Sequence, residues 1–235
     1  NTAEILGGGK NYSDTASADV THRTWGLDKS YIKDVSDQTG TQYVWSSTIT
    51  IPTGKMTEFT YTDTIKDPDG QNGVHYGIAS ELEKKLKENF SLKLKGVDNG
   101  LGYESAAEYV NVSIKYYNAS GEEVSKDDSQ EKVTKFEVTV TSKEGKSFEA
   151  QSLNLEYYTH VDYSGMESGE KWTFRNTGKV GEIEKTAAHD YTKPKPIQKY
   201  AGVYNSDGTI SYRDDTTKVD WYTTNGILYY RLLVR

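Results

Sequence analysis

Residues 43–51 alternate between large apolar side chains and hydroxyl-bearing side chains, and this pattern constrains the fold more than any other feature of the chain. Successive side chains of a β-strand point to opposite faces, so the alternation predicts a strand with one buried face. Pro52, Thr53 and Gly54 follow and predict a turn. Residues 59–65 are then predicted to form the next strand.

The composition favours a chain built mainly of strands. It contains 19 Tyr but only 5 Phe and 2 Met, and Thr and Val are frequent. This mixture suits pleated, half-exposed sheet surfaces better than helices. We therefore predict an all-β fold, in a chain of 235 residues that is long enough for one large or two small domains.

One segment departs from the strand pattern. Ile78, Leu82, Leu86 and Phe90 are spaced four residues apart with charged residues between them, which predicts one short amphipathic helix. Ser80 is a candidate N-cap, and the apolar stripe is expected to pack on an edge of the sheet. Further strands are predicted at residues 109–117, 132–141, 147–158 and 171–175.

Charge and residue types exclude several classes of function. The formal net charge is −7 and the basic residues are scattered, whereas nucleic-acid binding needs a clustered basic face. No apolar run approaches the roughly 20 residues that a membrane-spanning helix requires. The chain has no Cys, which excludes disulfides and thiolate chemistry. We expect neither a nucleic-acid partner nor membrane insertion.

Metal, cofactor and hydrolase sites are not expected either. His22, His75, His160 and His189 show no paired metal-ligand spacing. Residues 67–73 combine acidic residues with Gly but lack the spacing of a calcium-binding loop. No Gly-x-Ser-x-Gly nucleophile motif occurs. We predict no metal, no cofactor and no enzyme activity on an external substrate.

Three short stretches look like the parts of a covalent cross-link within the chain. Lys29 in Leu-Asp-Lys-Ser would supply an amine, Asn176 in Arg-Asn-Thr a carboxamide, and Asp63 in Thr-Asp-Thr-Ile the proton transfer. Lys33 competes with Lys29 as the amine, and Asn154 is a weaker candidate for the carboxamide. The ordinary alternative is that each is a plain strand or turn residue.

The proposed chemistry requires burial, because a solvated Lys is protonated and cannot attack, whereas desolvation favours the neutral amine. A buried, neutral Asp63 could hydrogen-bond the side-chain oxygen of Asn176 and shuttle protons while ammonia leaves. Trp45 and Trp172 are the candidates for the apolar surround. The reaction would occur once per chain, as autocatalysis rather than enzyme turnover.

Residues 43–65, 155–160 and 172–180 resemble the collagen-adhesin type A (CnaA-like) domains of Gram-positive pilins and adhesins. The resemblance implies an immunoglobulin-like β-sandwich in which Lys29, Asp63 and Asn176 form an autocatalytic isopeptide bond. It further implies a structural stalk or shaft domain that is extracellular and anchored to the cell surface or cell wall outside this sequence. Neighbouring domains or pilin subunits would be its partners.

The alternative is a ligand-binding adhesin module that recognises a host extracellular-matrix protein or glycan through a face of the sandwich. A contiguous strip of exposed aromatic side chains would distinguish this function from a stalk.

The domain organisation is predicted from composition. Residues 1–20 are expected to form a flexible segment or irregular first strand, and residues 21–182 the CnaA-like sandwich. Residues 183–197 are polar with two Pro and predict an extended linker. Residues 198–235 are predicted either as the opening strands of a second CnaA-like domain, with Lys199 as its cross-linking lysine, or as a hairpin added to the first.

Overall fold

The computed structural model describes residues 2–7, 10–15, 22–37, 40–66, 73–194, 197–213 and 229–234. Strands dominate these residues, so the predicted all-β fold is confirmed. The strands are β1 (Thr2–Gly7), β2 (Lys10–Thr15), β3 (Gly26–Asp37), β4 (Gly40–Thr50), β5 (Glu58–Lys66), β6 (Ser91–Leu94), β7 (Val110–Tyr117), β8 (Glu123–Val124), β9 (Lys135–Ser142), β10 (Ala150–Val161), β11 (Lys171–Val180), β12 (Ile183–Thr192), β13 (Ile197–Tyr204), β14 (Ile210–Arg213) and β15 (Tyr229–Val234), and the helices are α1 (Ala79–Glu88) and α2 (Tyr103–Ala106).

The described residues group into two compact units. The first lies within residues 1–66, 74–161 and 175–187, and the second within residues 67–73, 162–174 and 188–235. The predicted domain boundaries stay a prediction, because these units are drawn from separate parts of the chain.

Within the first unit, two antiparallel sheets form an immunoglobulin-like sandwich, to which β11 contributes residues 175–180 and β12 residues 183–187. One has the strand order β3-β4-β10-β6 and the other β12-β11-β5-β9-β7-β8. The alternation predicted for residues 43–51 and 59–65 is confirmed, since Tyr43, Trp45 and Ile49 are buried on β4 and Phe59 and Tyr61 on β5. Their inward faces supply the core between the sheets.

The predicted helix is confirmed as α1, whose buried side chains are Ala79, Leu82 and Leu86. Its N-cap is Ile78 and no side chain caps it, so the prediction for Ser80 is wrong. The helix packs against β10, an interior strand of its sheet. The short strand β6 pairs with residues 150–154 of β10, and His75 forms an isolated antiparallel bridge with His160 further along β10. No helix in the described parts of the chain is both long and apolar enough to cross a membrane.

Strands also occur in residues 1–20, predicted as a flexible segment or irregular first strand, and in residues 183–197, predicted as an extended linker. β1 and β2 pair as an antiparallel hairpin within residues 1–20. β12 lies within the predicted linker, at the edge of the six-stranded sheet. Its residue Ala187 is buried and Thr186 bonds the hydroxyl of Thr177 at 2.8 Å, while most of its other side chains are exposed. An edge strand with one solvated face has a polar composition, which is why composition suggested a linker.

The second unit contains a three-stranded antiparallel sheet of order β14-β13-β15. Lys199 lies on β13 with its backbone opposite Leu232, and its side chain falls outside the described residues. Residues 67–72 of the acidic turn also fall outside them. A second cross-linked domain beginning at Lys199 stays a prediction.

Candidate site for an intramolecular cross-link

Strand pairing brings Lys29, Asp63 and Asn176 together in the first unit. Lys29 lies on β3 opposite Ser47 of β4. Asp63 lies on β5 opposite Gly178 of β11, two residues beyond Asn176. Lys29 therefore enters the core from one sheet, and the other two residues from neighbouring strands of the facing sheet.

Lys29 and Asp63 form a buried ion pair. The Lys29 Nζ lies 2.6 Å from Asp63 Oδ2, and both side chains are 0% exposed. The ammonium also donates to Ser47 Oγ at 3.1 Å and to the Tyr157 hydroxyl. Burial lowers the pKa of Lys29, while the charge of Asp63 and their hydrogen bond oppose that shift. The lowered pKa favours the neutral amine that nucleophilic attack requires.

The Asn176 carboxamide reaches the same carboxylate. Its Nδ2 donates to Asp63 Oδ1 at 2.7 Å and to the Tyr76 hydroxyl at 2.8 Å. Its Oδ1 lies 3.2 Å from the Tyr157 hydroxyl, within donating distance. We expected Asp63 to bond the amide oxygen, and the structure places it on the nitrogen instead. A carboxylate paired with Lys29 acts as an acceptor, so it takes the NH₂ group of Asn176, and the amide oxygen faces the Tyr157 hydroxyl.

Three buried tyrosines complete the surroundings of Asp63, and sequence reasoning missed them. Tyr61 and Tyr157 donate to Oδ2, and Tyr76 donates to Oδ1. Ser47 lies within hydrogen-bond distance of the Tyr61 and Tyr157 hydroxyls, at 2.6 and 3.0 Å. Burial, followed by the charge of Asp63, raises the pKa of all three tyrosines well above its ordinary value. All three therefore remain protonated donors at neutral pH.

Phe136 supplies the apolar wall next to these tyrosines. Its ring centroid lies 6.3 Å from Tyr61, 5.1 Å from Tyr76 and 5.0 Å from Tyr157. The predicted Trp45 is a neighbour of the site, since it lies opposite Tyr157 in the β4–β10 register. The apolar surround therefore includes a ring on β9 that the sequence motifs did not mark.

The remaining predicted residues lie elsewhere. Trp172 belongs to the second unit, where it packs on Phe174 and its indole donates to Glu170 at 2.8 Å. Lys33 is exposed on β3, beyond an irregularity in the β3–β4 register. Asn154 is half-buried on β10. Of the two lysines considered, Lys29 is the one that contacts Asp63.

Two histidines that are far apart in sequence meet beside Tyr76. The His75 and His160 rings stack with centroids 5.1 Å apart, and their backbones form a bridge of two hydrogen bonds. His75 Nδ1 accepts a hydrogen bond from the Gly77 amide at 2.9 Å. Burial and the neighbouring His160 lower the pKa of His75 to about 4. A neutral His75 thus fixes the segment that delivers Tyr76 to Asp63.

No protein family and no curated protein matches the chain. Among solved structures, it is similar to the collagen-binding subdomain of the Enterococcus faecalis surface protein ACE, with 7% identity, 74% of this chain and 97% of that chain covered, and a TM-score of 0.33. It is also similar to a 35 kDa C-terminal fragment of a major pilin of Streptococcus agalactiae. The identity is 10%, the match covers 80% of this chain and 66% of that chain, and the TM-score is 0.33.

A third similar structure is the full-length major pilin SpaD of Corynebacterium diphtheriae, with 13% identity, 75% of this chain and 37% of that chain covered, and a TM-score of 0.33. The match therefore spans about two thirds of one pilin chain and little more than a third of the other.

Proposed function

We propose that the first unit is a structural stalk or shaft domain of a Gram-positive cell-surface adhesin or pilin, stabilised by an autocatalytic amide bond between Lys29 and Asn176. The observation that supports this proposal is that a buried ammonium and a buried carboxamide both contact the Asp63 carboxylate. Lys29 Nζ lies 2.6 Å from Asp63 Oδ2, and Asn176 Nδ2 lies 2.7 Å from Asp63 Oδ1. The proposal describes a reaction of the chain with itself, not an enzyme acting on other molecules.

The energetics of burial support a reactive role for the ion pair. Removing two charges from water costs several kcal/mol per ion, and well-packed apolar residues are often as stabilising or better. A sandwich core does not need a Lys–Asp pair for stability. A pair whose carboxylate also binds a carboxamide is explained by chemistry that consumes the charges.

The reaction begins with proton transfer from Lys29 Nζ to Asp63 Oδ2, which leaves a neutral amine. The amine attacks the side-chain carbonyl carbon of Asn176, and the carbonyl electron pair moves onto Oδ1. Asp63 and Tyr76 contact the leaving nitrogen and are placed to deliver a proton to it. Collapse of the intermediate breaks the bond from carbon to Nδ2 and releases ammonia.

The protons balance without any further reactant. Of the three protons on the Lys29 ammonium, one remains on the new amide, one leaves as the third proton of ammonia, and one is retained by Asp63. The product therefore has a neutral amide and a neutral carboxylic acid where the reactants had an ion pair. Loss of both buried charges stabilises the product relative to the reactants.

The bond would connect β3 to β11, which belong to opposite sheets of the sandwich. By analogy with a disulfide that closes a loop of this length, the cross-link would stabilise the fold by about 5 kcal/mol. Tension on the chain could then pass through a covalent bond instead of the hydrogen bonds between strands. In a chain without Cys, an amide supplies the reinforcement that disulfides give other secreted proteins.

Partners and location follow from the same proposal. The similar structures are named as a collagen-binding subdomain and as major pilins. Neighbouring domains or pilin subunits are the proposed partners of a shaft domain, at an extracellular position on the cell wall.

In the described residues of the first unit, the ligand-binding alternative lacks the feature that would distinguish it. Among the described residues of the first unit, Tyr109 is the exposed aromatic residue, at 47%. A cleft lined by Tyr158, His160 and Lys85 has a volume of about 280 Å³, just below the range typical of small-molecule sites. Neither feature forms a contiguous aromatic strip on a face of the sandwich.

Intact-mass measurement under denaturing conditions tests the proposal. The wild-type chain should weigh one ammonia less than its sequence, and Lys29→Ala, Asp63→Ala and Asn176→Ala should each restore the full mass. Lys33→Ala is the matched control and should keep the lower mass, because Lys33 is exposed. A wild-type chain of full sequence mass would remove the cross-link and with it the main support for a stalk.

A further inference from the structure

The Tyr157 hydroxyl lies between the two side chains of the proposed cross-link. It accepts a hydrogen bond from Lys29 Nζ, and it lies within donating distance of both Asp63 Oδ2 and Asn176 Oδ1, the latter at 3.2 Å. The residue is 0% exposed, and burial raises its pKa well above the ordinary value. The hydroxyl therefore keeps its proton in the folded chain.

We propose that Tyr157 is a catalytic residue of the cross-linking reaction, as the donor that stabilises negative charge on Asn176 Oδ1. This inference rests on the proposed Lys29–Asn176 amide. Attack on the carboxamide carbon converts Oδ1 into an oxyanion. Among the described residues, Tyr157 is the donor hydrogen-bonded to that oxygen, since Asp63 and Tyr76 contact the nitrogen. A fixed donor at the atom where charge develops is among the largest contributions to such reactions.

Because Tyr157 has one hydroxyl proton, its ability to stabilise the oxyanion at Asn176 Oδ1 depends on whether Asp63 is charged or protonated. A hydroxyl has one proton to donate, and in the ion-paired state the charged Asp63 carboxylate is the stronger acceptor. Proton transfer from Lys29 neutralises that carboxylate. The Tyr157 proton is then released for Asn176 Oδ1, so the step that produces the nucleophile also makes the oxyanion donor available.

Tyr61 provides a matched comparison within the same site. It is also 0% exposed, donates to Asp63 Oδ2 and lies 2.6 Å from Ser47 Oγ. The contacts of its hydroxyl are with Asp63, Ser47, Lys29 and Tyr157, whereas Tyr157 also contacts Asn176. A purely structural role predicts similar effects of removing either hydroxyl. A role at the oxyanion predicts a larger effect for Tyr157.

The test is the rate of ammonia loss in Tyr157→Phe and Tyr61→Phe chains. Each full chain is made by cell-free translation with a short pulse of labelled amino acid, samples are denatured at intervals, and intact mass gives the cross-linked fraction. We expect Tyr157→Phe to slow the reaction about 100-fold or more, as for loss of one oxyanion donor. Tyr61→Phe should slow it by about tenfold or less, as for loss of one hydrogen bond.

A second measurement separates chemistry from folding. In an Asn176→Ala background no bond can form, and the urea midpoints of the two Phe variants should be similar. Unequal rates with similar midpoints support the inference. If the wild type cross-links but the two Phe variants are slowed equally, or Tyr157→Phe is not slowed, the role of Tyr157 is overturned and the cross-link itself is not. A wild type that never loses ammonia would overturn the cross-link as well.

Discussion

Lys29 Nζ and Asp63 Oδ2 lie 2.6 Å apart in a site where neither side chain is exposed to solvent. The pair joins the two sheets of the sandwich, since Lys29 is on β3 and Asp63 is on β5. The polar groups around the pair are three tyrosine hydroxyls and one carboxamide, all hydrogen-bonded to the Asp63 carboxylate. Phe136 packs against the three tyrosine rings. The site therefore holds an amine, a carboxylate and a carboxamide close together and out of contact with solvent.

Removing Lys29 from its ion pair with Asp63 should lower the free energy of unfolding more than preventing the proposed amide bond alone. Lys29→Met and Asn176→Leu both prevent the proposed amide, but Lys29→Met also leaves Asp63 buried without its counter-charge. We expect Lys29→Met to be less stable than Asn176→Leu by about 3 kcal/mol, the cost of removing one partner of a buried pair. Urea unfolding of the two variants measures the difference, and equal midpoints with equal slopes would contradict it.

Strand periodicity made much of this arrangement predictable. Lys29, Asp63 and Asn176 were identified from short sequence stretches that match, in order, the pattern of CnaA-like domains, and the alternation on β5 also places Tyr61 on the same face as Asp63. That neighbour could have been found from the spacing of two residues alone. Tyr157 lies on β10 opposite Trp45, a relationship that depends on strand register and cannot be read from one strand.

Other parts of the site had no signal in the sequence. Tyr76 comes from a short irregular segment before α1, where no period fixes the direction of a side chain. The orientation of the Asn176 amide depends on whether Asp63 or Tyr157 holds a proton to donate, which only the assembled cluster determines. Phe136 is one of many apolar residues on alternating strands, so its contact with the tyrosines required the three-dimensional structure.

Gly178 should be intolerant of a side chain. A Cβ there would lie 2.5 Å from the Tyr61 hydroxyl oxygen and 3.0 Å from its ring. Gly178→Ala should therefore displace Tyr61, destabilise the fold by about 1–3 kcal/mol and slow cross-linking. Gly102→Ala is the control, because a Cβ at Gly102 meets nothing within 4 Å. Urea midpoints and the time course of ammonia loss measure both effects, and a Gly178→Ala chain matching Gly102→Ala would refute the argument.

Acid should weaken the first unit through His75. Its pKa is lowered to about 4 in the fold, by burial, by His160 and by Lys132, whereas an unfolded His titrates at about 6.5. Between these values the unfolded chain binds the proton more tightly, so the contribution of His75 is present above about pH 6.5 and is lost as pH falls towards 4. Urea unfolding at several pH values, in a chain carrying Asn176→Ala so that no bond masks the effect, measures this loss.

The control for that measurement is His75→Asn, in which the amide oxygen can still accept from the Gly77 backbone but does not titrate. We expect its stability to fall less steeply over the same pH interval. His160 stacks on the same ring and is unchanged in this variant. A slope unchanged by His75→Asn would assign the acid sensitivity to other groups.

Phe136→Leu should slow the cross-link more than its effect on stability explains. Phe136 contacts Tyr61, Tyr76 and Tyr157, so a smaller side chain opens space beside the hydroxyls and admits water, which favours the charged form of Lys29. Phe59→Leu is the matched control, since Phe59 is also buried but packs against Trp25 and Phe148. Both changes should destabilise the chain by similar amounts, about 1–2 kcal/mol. Only Phe136→Leu should delay ammonia loss in a pulse-labelling time course, and equal delays in the two variants would show that general loosening of the core, rather than hydration of Lys29, limits the reaction.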